Sequence, residues 1–245
     1  MKKMLHGLAM CQSMFCAIPS PWNKIWDEEA RGQMLLFLPL IGLEIGFLWT
    51  LLAWAVLRLG LPMPACALLL GAWPYVATGY LHLDGYMDVT DAVKSWRDLE
   101  RRREILKDSH VGSFAVIGLA LLLLAQFAFF CCMDAGYGIL ILIPVVSRCC
   151  SALAVKALKP MNTSQYASQQ TPKSHLIFLS LMLAVAIVTG FMIWGRKGFA
   201  LLGVLAGYGL ALRRAYGSLE GMNGDVSGYA LTIGELVGVA VMVVL

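Results

Sequence analysis

Between Asp84 and Asp108 the chain carries seven of its fifteen acidic residues. The first three, Asp84, Asp88 and Asp91, stand at positions i, i+4 and i+7 after a long apolar stretch. On a helix this spacing places three carboxylates within an arc of about 60°, where they repel one another unless a cation lies between them. Carboxylate oxygens suit Mg²⁺ and Mn²⁺, so the spacing predicts a site for a hard divalent metal at a membrane surface.

A second acidic pair follows in the same loop. Glu104 and Asp108 are four residues apart, with Lys107 between them, and we predict that this pair completes or supports the metal site. Metal ions on several carboxylates beside basic side chains are typical of phosphoryl transfer, in which one carboxylate removes a proton from the attacking hydroxyl. The alternative is that these residues only solvate a helix end. The seven cysteines form no C-x-x-C spacing, which argues against a zinc or iron–sulfur site.

Other polar residues lie within or beside the apolar stretches. Arg148 falls at membrane depth, and its guanidinium geometry makes it a candidate phosphate ligand. Glu44 and Glu235 lie at similar depth, and we expect Glu44 to pair with a basic partner. Asp225 stands among glycines, which predicts either a ligand contact or a helix cap. His82 is also a substrate-binding candidate, although it lies on roughly the opposite helix face from the first aspartate, where an interface hydrogen bond is the simpler role.

The composition indicates an all-α integral membrane protein. Hydrophobic residues make up 59% of the 245 residues and charged residues only 14%. Apolar stretches of about 20 residues match bilayer-spanning helices, and we predict a polytopic bundle of about seven. The predicted spans, of which the sixth is short, are 33–57, 62–82, 112–133, 137–158, 175–194, 198–213 and 229–245.

The basic residues predict the orientation. With the N-terminus in the cytoplasm, fifteen lysines and arginines lie inside and three outside, and the C-terminus lies outside. We predict one transmembrane domain, 1–245, with the lipid bilayer as its surroundings, no nucleic-acid partner and homo-oligomerisation left open. Its cytoplasmic parts would be an interfacial N-terminal segment, an acidic-motif loop and two further loops, at 1–32, 83–111, 159–174 and 214–228.

The motifs and their order resemble the cobalamin synthase family, whose members are adenosylcobinamide-GDP ribazoletransferases. The likeness covers nearly the whole chain. It is carried by Ile18-Pro19, Pro39-Leu40-Ile41-Gly42, Leu81-His82-Leu83-Asp84-Gly85 through Asp91, Glu104-Ile105-Leu106-Lys107-Asp108-Ser109 with Gly112, Ser147-Arg148, Gly224-Asp225, Gly228 and Glu235-Leu236.

The resemblance implies a Mg²⁺-dependent transferase, with Mn²⁺ as an alternative ion, at the cytoplasmic face of a bacterial or archaeal inner membrane. The 5′-hydroxyl of α-ribazole, or of its 5′-phosphate, would attack the cobinamide-linked phosphoryl group of adenosylcobinamide-GDP. The products would be GMP and adenosylcobalamin or its 5′-phosphate.

Within this reaction we assign the aspartates at 84, 88 and 91 to the metal, with Asp91 as the base and Asp88 as a second catalytic candidate. Glu104 and Asp108 would support the metal site. Lys107 and Arg148 would neutralise the leaving GMP, and Asp225 would bind a second ion or a ribose hydroxyl.

Two other functions fit parts of the sequence. A CDP-alcohol phosphotransferase also presents spaced aspartates, but Met87-Asp88 stands where its D-G-x-x-A-R signature has Ala-Arg. An ion-coupled transporter would use intramembrane charges, but here the acids cluster in one loop and no inverted repeat is evident.

Overall fold

In a computed structural model, the described residues, 2–19, 27–134, 136–161 and 172–245, form a helical bundle without a named β-strand. The α-helices in chain order are α1 Lys2–Phe15, α2 Arg31–Met34, α3 Leu38–Arg58, α4 Met63–Ala77, α5 Leu81–Lys94, α6 Leu99–Ile105, α7 Ser113–Cys131, α8 Ile143–Ala157, α9 Lys173–Trp194, α10 Phe199–Leu219 and α11 Gly224–Val244. Short 3₁₀ helices occupy Leu35–Phe37, Tyr137–Ile141 and Gly195–Gly198.

Five helical segments in the described ranges are long and apolar enough to cross a bilayer, which confirms the predicted multi-pass class. They are Arg31–Arg58, Ser113–Cys131, Tyr137–Ala157, Lys173–Leu219 and Gly224–Val244. The 47-residue segment Lys173–Leu219 contains α9 and α10, and α4 is an apolar helix of only 15 residues. The count of seven spans and the orientation of the termini stay predictions.

The aspartates lie on a helix, as their spacing predicts, but this helix is separate from the preceding apolar one. The predicted span 62–82 ends at Ala77, and the predicted loop 83–111 is mostly α5 and α6. Gly79 and Tyr80 adopt left-handed backbone conformations, with φ of 58° and 64°, which interrupts the helix. The chain therefore starts a new helix, α5, just before the aspartates.

The last connection is also shorter than predicted. The helix α10 continues to Leu219, so the sixth span is not short, and α11 begins at Gly224 instead of 229. The Asn223 side chain caps α11 by accepting a hydrogen bond from the Val226 N–H at 2.9 Å. Of the loop predicted at 159–174, residues 162–171 lie outside the described part of the chain.

The final helix is the centre of the bundle. It contacts α5, α7, α8 and α10, and 67% of its most apolar 18-residue stretch is buried. In contrast, only three residues of α9, namely Leu179, Ala186 and Gly190, are buried, so α9 presents most of its apolar side chains outward. Such an outer apolar surface is expected of helices that face lipid.

A buried polar link joins the short helix α4 to α7. The Tyr75 hydroxyl donates to the Gln126 Oε1 at 2.6 Å, and the Gln126 Nε2 donates to the Gly71 carbonyl at 3.2 Å. Gln126 is 2% exposed. Hydrogen bonds of this kind hold helices together where apolar burial alone gives little preference for one partner over lipid.

We predict that Gln126→Leu lowers the free energy of unfolding by about 1 kcal/mol, because it leaves the Tyr75 hydroxyl without its partner. Unfolding of purified protein in mixed micelles measures this loss. In a double-mutant cycle, Tyr75→Phe should add little to Gln126→Leu. Fully additive losses would contradict the link.

Candidate active site

The helices α5 and α11 cross in close contact beside the first two aspartates. A Cβ atom on Gly85 would lie 2.9 Å from the Asp225 Cα, and one on Gly228 would lie 3.2 Å from the His82 carbonyl oxygen. A side chain at position 85 would force the helices apart, and one at position 228 would crowd them. Residue 225 is therefore brought against α5, although it is 140 positions beyond Gly85 in the sequence.

This crossing places three carboxylates in one electrostatic environment. Partial burial, together with the negative charges of Asp84, Asp225 and Asp91, raises the pKa of Asp88 to about 6. Asp84 is exposed, whereas Asp88 and Asp225 are half-buried. Within the described ranges, no cationic side chain forms an ion pair with Asp84, Asp88 or Asp225. We call Asp84, Asp88 and Asp225 the acidic cluster.

The acidic cluster is open in its present arrangement. Among the described residues, no three acidic, histidine or cysteine side chains converge closely enough to hold a metal ion as they stand. The cluster nevertheless offers oxygen donors only, as Mg²⁺ prefers, and its shared negative charge favours a cation. The donor chemistry fits this metal, provided that the side chains close around it.

Asp91 is engaged differently from the other two aspartates of its stripe. Its Oδ1 accepts a hydrogen bond from the Ala115 N–H at 3.0 Å, and its Oδ2 accepts one from the Gly112 N–H. These bonds satisfy backbone donors at the start of α7, where Gly112 has no side chain to do so. A carboxylate held in this way is a poor candidate for the base predicted at this position.

The structure does not bring the second acidic pair to the cluster. Glu104 pairs with Arg101 at 2.6 Å. Asp108 accepts hydrogen bonds from the backbone and ring of His110, which lower the pKa of Asp108. Lys107 is exposed, without an ion-pair partner among the described residues.

The neighbouring arginines of α6 cap another helix. Arg103 donates to the carbonyls of Leu219 and Glu220, and Arg102 donates to the Ser218 carbonyl. Positive groups are favourable at a helix C-terminus, which carries partial negative charge. The sequence held no signal for this docking, since 116 residues separate the partners.

Arg148 is fully buried and forms an ion pair with Glu235 at 2.7 Å. Its Nη1 also approaches the Pro144 carbonyl, and Ser147 donates to the same glutamate. The predicted phosphate ligand is thus a structural partner of Glu235. Glu44 departs from expectation as well, because its described partner is the Gln12 amide rather than a base.

His82 lies inside the helix interface and not at the open cluster. The residue is 8% exposed, and its ring stacks against Phe15 with ring centroids 6.3 Å apart. Its carbonyl accepts a hydrogen bond from the Thr232 hydroxyl at 3.3 Å. This position ties α1, α5 and α11 together next to the first aspartate.

A cavity of about 460 Å³ opens beside Asp84. It lies between the end of α1 with the residues that follow it and the turn that precedes α5. Its lining residues are Ser13, Met14, Cys16, Ala17, Thr78, Gly79, Tyr80, Leu81 and Asp84. The volume falls within the range of small-molecule sites, and the acidic side chain lies in its wall.

We predict that Arg148→Met destabilises the protein by about 3–5 kcal/mol, because it leaves Glu235 charged and unpaired in a buried position. Arg148→Met combined with Glu235→Leu should recover much of the loss. Thermal unfolding and gel filtration of detergent-solubilised protein measure both effects. A fully stable Arg148→Met protein with weakened substrate binding would instead support a ligand role.

The raised pKa of Asp88 predicts that the metal-free protein loses stability as the pH rises from about 4 through about 6. The folded state holds this proton more tightly than the unfolded chain does, and the advantage disappears once the proton leaves. Thermal unfolding in a chelator should show the decline, and Asp88→Asn should flatten it. If stability falls with pH as steeply in Asp88→Asn as in the wild-type protein, another group causes the decline.

The chain matches known proteins over almost its full length. The family described as cobalamin-5-phosphate synthase matches residues 7–243. A relative named adenosylcobinamide-GDP ribazoletransferase from Clostridium perfringens (strain 13 / Type A) is 36% identical over 249 residues, which cover 99% of each chain. Relatives of the same name are 34% identical in Clostridium botulinum (strain Alaska E43 / Type E3), over 97% of each chain, and 33% identical in Brevibacillus brevis (strain 47 / JCM 6285 / NBRC 100599), over 99% of this chain and 98% of the relative. No solved structure matches the chain. This agreement over both whole lengths means that the chain belongs to the cobalamin-5-phosphate synthase family.

Proposed function

We propose that the protein is a membrane transferase that joins adenosylcobinamide-GDP to α-ribazole, or to its 5′-phosphate, and releases GMP. The names of the relatives support the substrates. The observation that carries the chemistry is the acidic cluster, in which three carboxylates share one helix crossing without a cationic partner among the described residues. Such a cluster suits a substrate with phosphate groups only when metal ions accompany it.

The acidic cluster would hold Mg²⁺, or Mn²⁺ in its place, through the carboxylate oxygens of Asp84, Asp88 and Asp225. When bound, the ion supplies positive charge to the diphosphate oxygens. Compared with the assignment from sequence, Asp225 joins the ligands, whereas Asp91 chiefly caps α7. Glu104 and Asp108 would reach this site only by giving up Arg101 and His110.

Asp88 is the best placed base. Its carboxylate belongs to the acidic cluster and, unlike that of Asp91, is not held by the backbone at the start of α7. The family resemblance implies attack by the 5′-hydroxyl of the ribazole. In α-ribazole 5′-phosphate that position carries the phosphate, which stays in the product, so it has no free hydroxyl. We therefore propose that a hydroxyl on the ribose ring attacks instead. The hydroxyl oxygen bonds to the cobinamide-linked phosphorus, the bond from that phosphorus to the GMP oxygen breaks, and the hydroxyl proton passes to Asp88.

The cavity beside Asp84 would receive the α-ribazole nucleoside, because its volume suits a small ligand while the larger corrinoid would remain at the membrane surface. Lys107 would neutralise charge on the leaving GMP, since its side chain is exposed and not engaged in an ion pair of the described chain. We do not assign this role to Arg148, because its guanidinium group forms an ion pair with Glu235. The predicted orientation would put the reaction at the cytoplasmic face.

We predict that Asp84→Asn lowers turnover by about 100-fold or more, because it removes a carboxylate from the metal site. Membranes are incubated with adenosylcobinamide-GDP, α-ribazole and Mg²⁺, and released GMP is quantified. The wild-type protein should release GMP only when both substrates and the metal are present.

Asp134→Asn is the matched control, because Asp134 pairs with Lys197 and lies apart from the acidic cluster. It should keep wild-type turnover, and both variants should elute as folded protein in gel filtration. Wild-type turnover in Asp84→Asn would contradict the metal assignment. GMP release without α-ribazole would contradict the transfer itself.

A further inference from the structure

A groove of about 570 Å³ runs along the outer side of α10 and α11, apart from the acidic cluster. Its wall is apolar over most of its length and basic at one end. The lining residues are Gly207, Leu210, Ala211, Arg213, Arg214, Tyr229, Ile233 and Val237. Leu210 is 70% exposed, and Arg213 and Arg214 beside it are exposed as well, so the groove faces the surroundings of the bundle.

Arg213 and Arg214 are exposed and make no ion pair or side-chain hydrogen bond with another described residue. Three other arginines make contacts within the fold. Arg102 and Arg103 cap α10, and Arg148 is buried against Glu235. The groove therefore carries two adjacent positive charges that the described fold does not neutralise.

The depth of these arginines favours a partner from the bilayer. Arg214 lies five residues before Leu219, the last residue of α10, or about 8 Å along the helix axis. This end of α10 is also where α6 docks and where the chain turns into α11. Arginines about one and a half turns inside an apolar helix lie near the level of lipid phosphates, where the guanidinium can bind a phosphate with two hydrogen bonds.

We propose that this groove binds an anionic phospholipid of the surrounding bilayer. Its phosphate would lie against Arg213 and Arg214, and an acyl chain would cover Leu210, Ile233 and Val237. The two arginines match the lipid phosphate, and the apolar wall matches the acyl chain. A soluble phosphate compound would match the arginines only. Tyr229 also lines the groove and lies close enough to Arg214 to feel its charge, and tyrosine is typical of membrane interfaces.

Native mass spectrometry of the full-length protein, released from nanodiscs of phosphatidylcholine with a minor fraction of phosphatidylglycerol, tests this proposal. The wild-type protein should retain phosphatidylglycerol in excess of its share of the bilayer. Arg213→Gln combined with Arg214→Gln should lower this retention by about tenfold or more. Ile233→Trp, which fills the apolar part without changing charge, should lower it as well.

Arg58→Gln combined with Arg196→Gln is the matched control. Both arginines are exposed, neither lines the groove, and the change in net charge is the same. This control should retain the lipid as the wild-type protein does. Equal retention in the Arg213/Arg214 variant, or equal loss in the control, would overturn the proposal.

A kinetic measurement separates a lipid from the nucleotide substrate. In bilayers of phosphatidylcholine alone, the Arg213/Arg214 variant should keep the wild-type KM for adenosylcobinamide-GDP. A raised KM there would show that the arginines bind the substrate diphosphate, and the lipid assignment would fall. The mass measurement needs no turnover, so its outcome is independent of the proposed reaction.

Discussion

Repulsion among carboxylates that the backbone does not allow to separate is the constraint on which the site depends. Gly85 and Gly228 put the backbones of α5 and α11 in direct contact, and Tyr86 stacks on Tyr229 with ring centroids 5.6 Å apart. This close packing holds the two helices in place when the carboxylates of the acidic cluster ionise. Burial and this repulsion together raise the pKa of Asp88, and a proton on Asp88 or a divalent cation bound at the cluster would relieve the repulsion.

The charged residues divide into those that hold the fold and those that remain open. Arg148 and Glu235 neutralise each other in the interior, where either alone would be costly, and Arg103 stabilises the end of α10. Asp84 and Asp88 have no such basic partner in the described chain. Residues of one chemical type therefore serve opposite purposes, and only their three-dimensional neighbours distinguish them.

Local pattern was sufficient to predict the membrane class and the stripe of three aspartates, because hydrophobic length and helical spacing act over a few turns. The break before α5 was missed, since its left-handed residues include Tyr80, a side chain that rarely adopts that conformation. Contacts between distant segments could not be predicted from one sequence. The approach of Asp225 to α5 and the pairing of Arg148 with Glu235 depend on how whole helices pack.

The three aspartates of α5 have different surroundings because different helices lie against successive turns of α5. The first turns pack closely against α11 at Gly85 and Gly228, whereas Asp91 meets the start of α7. By bonding backbone donors at Gly112 and Ala115, Asp91 sets the rotation of α5 about its axis relative to α7. That rotation in turn directs the two preceding aspartates toward Asp225. Asp91 can therefore be essential to the site while remaining outside the chemistry, as a residue that positions the others.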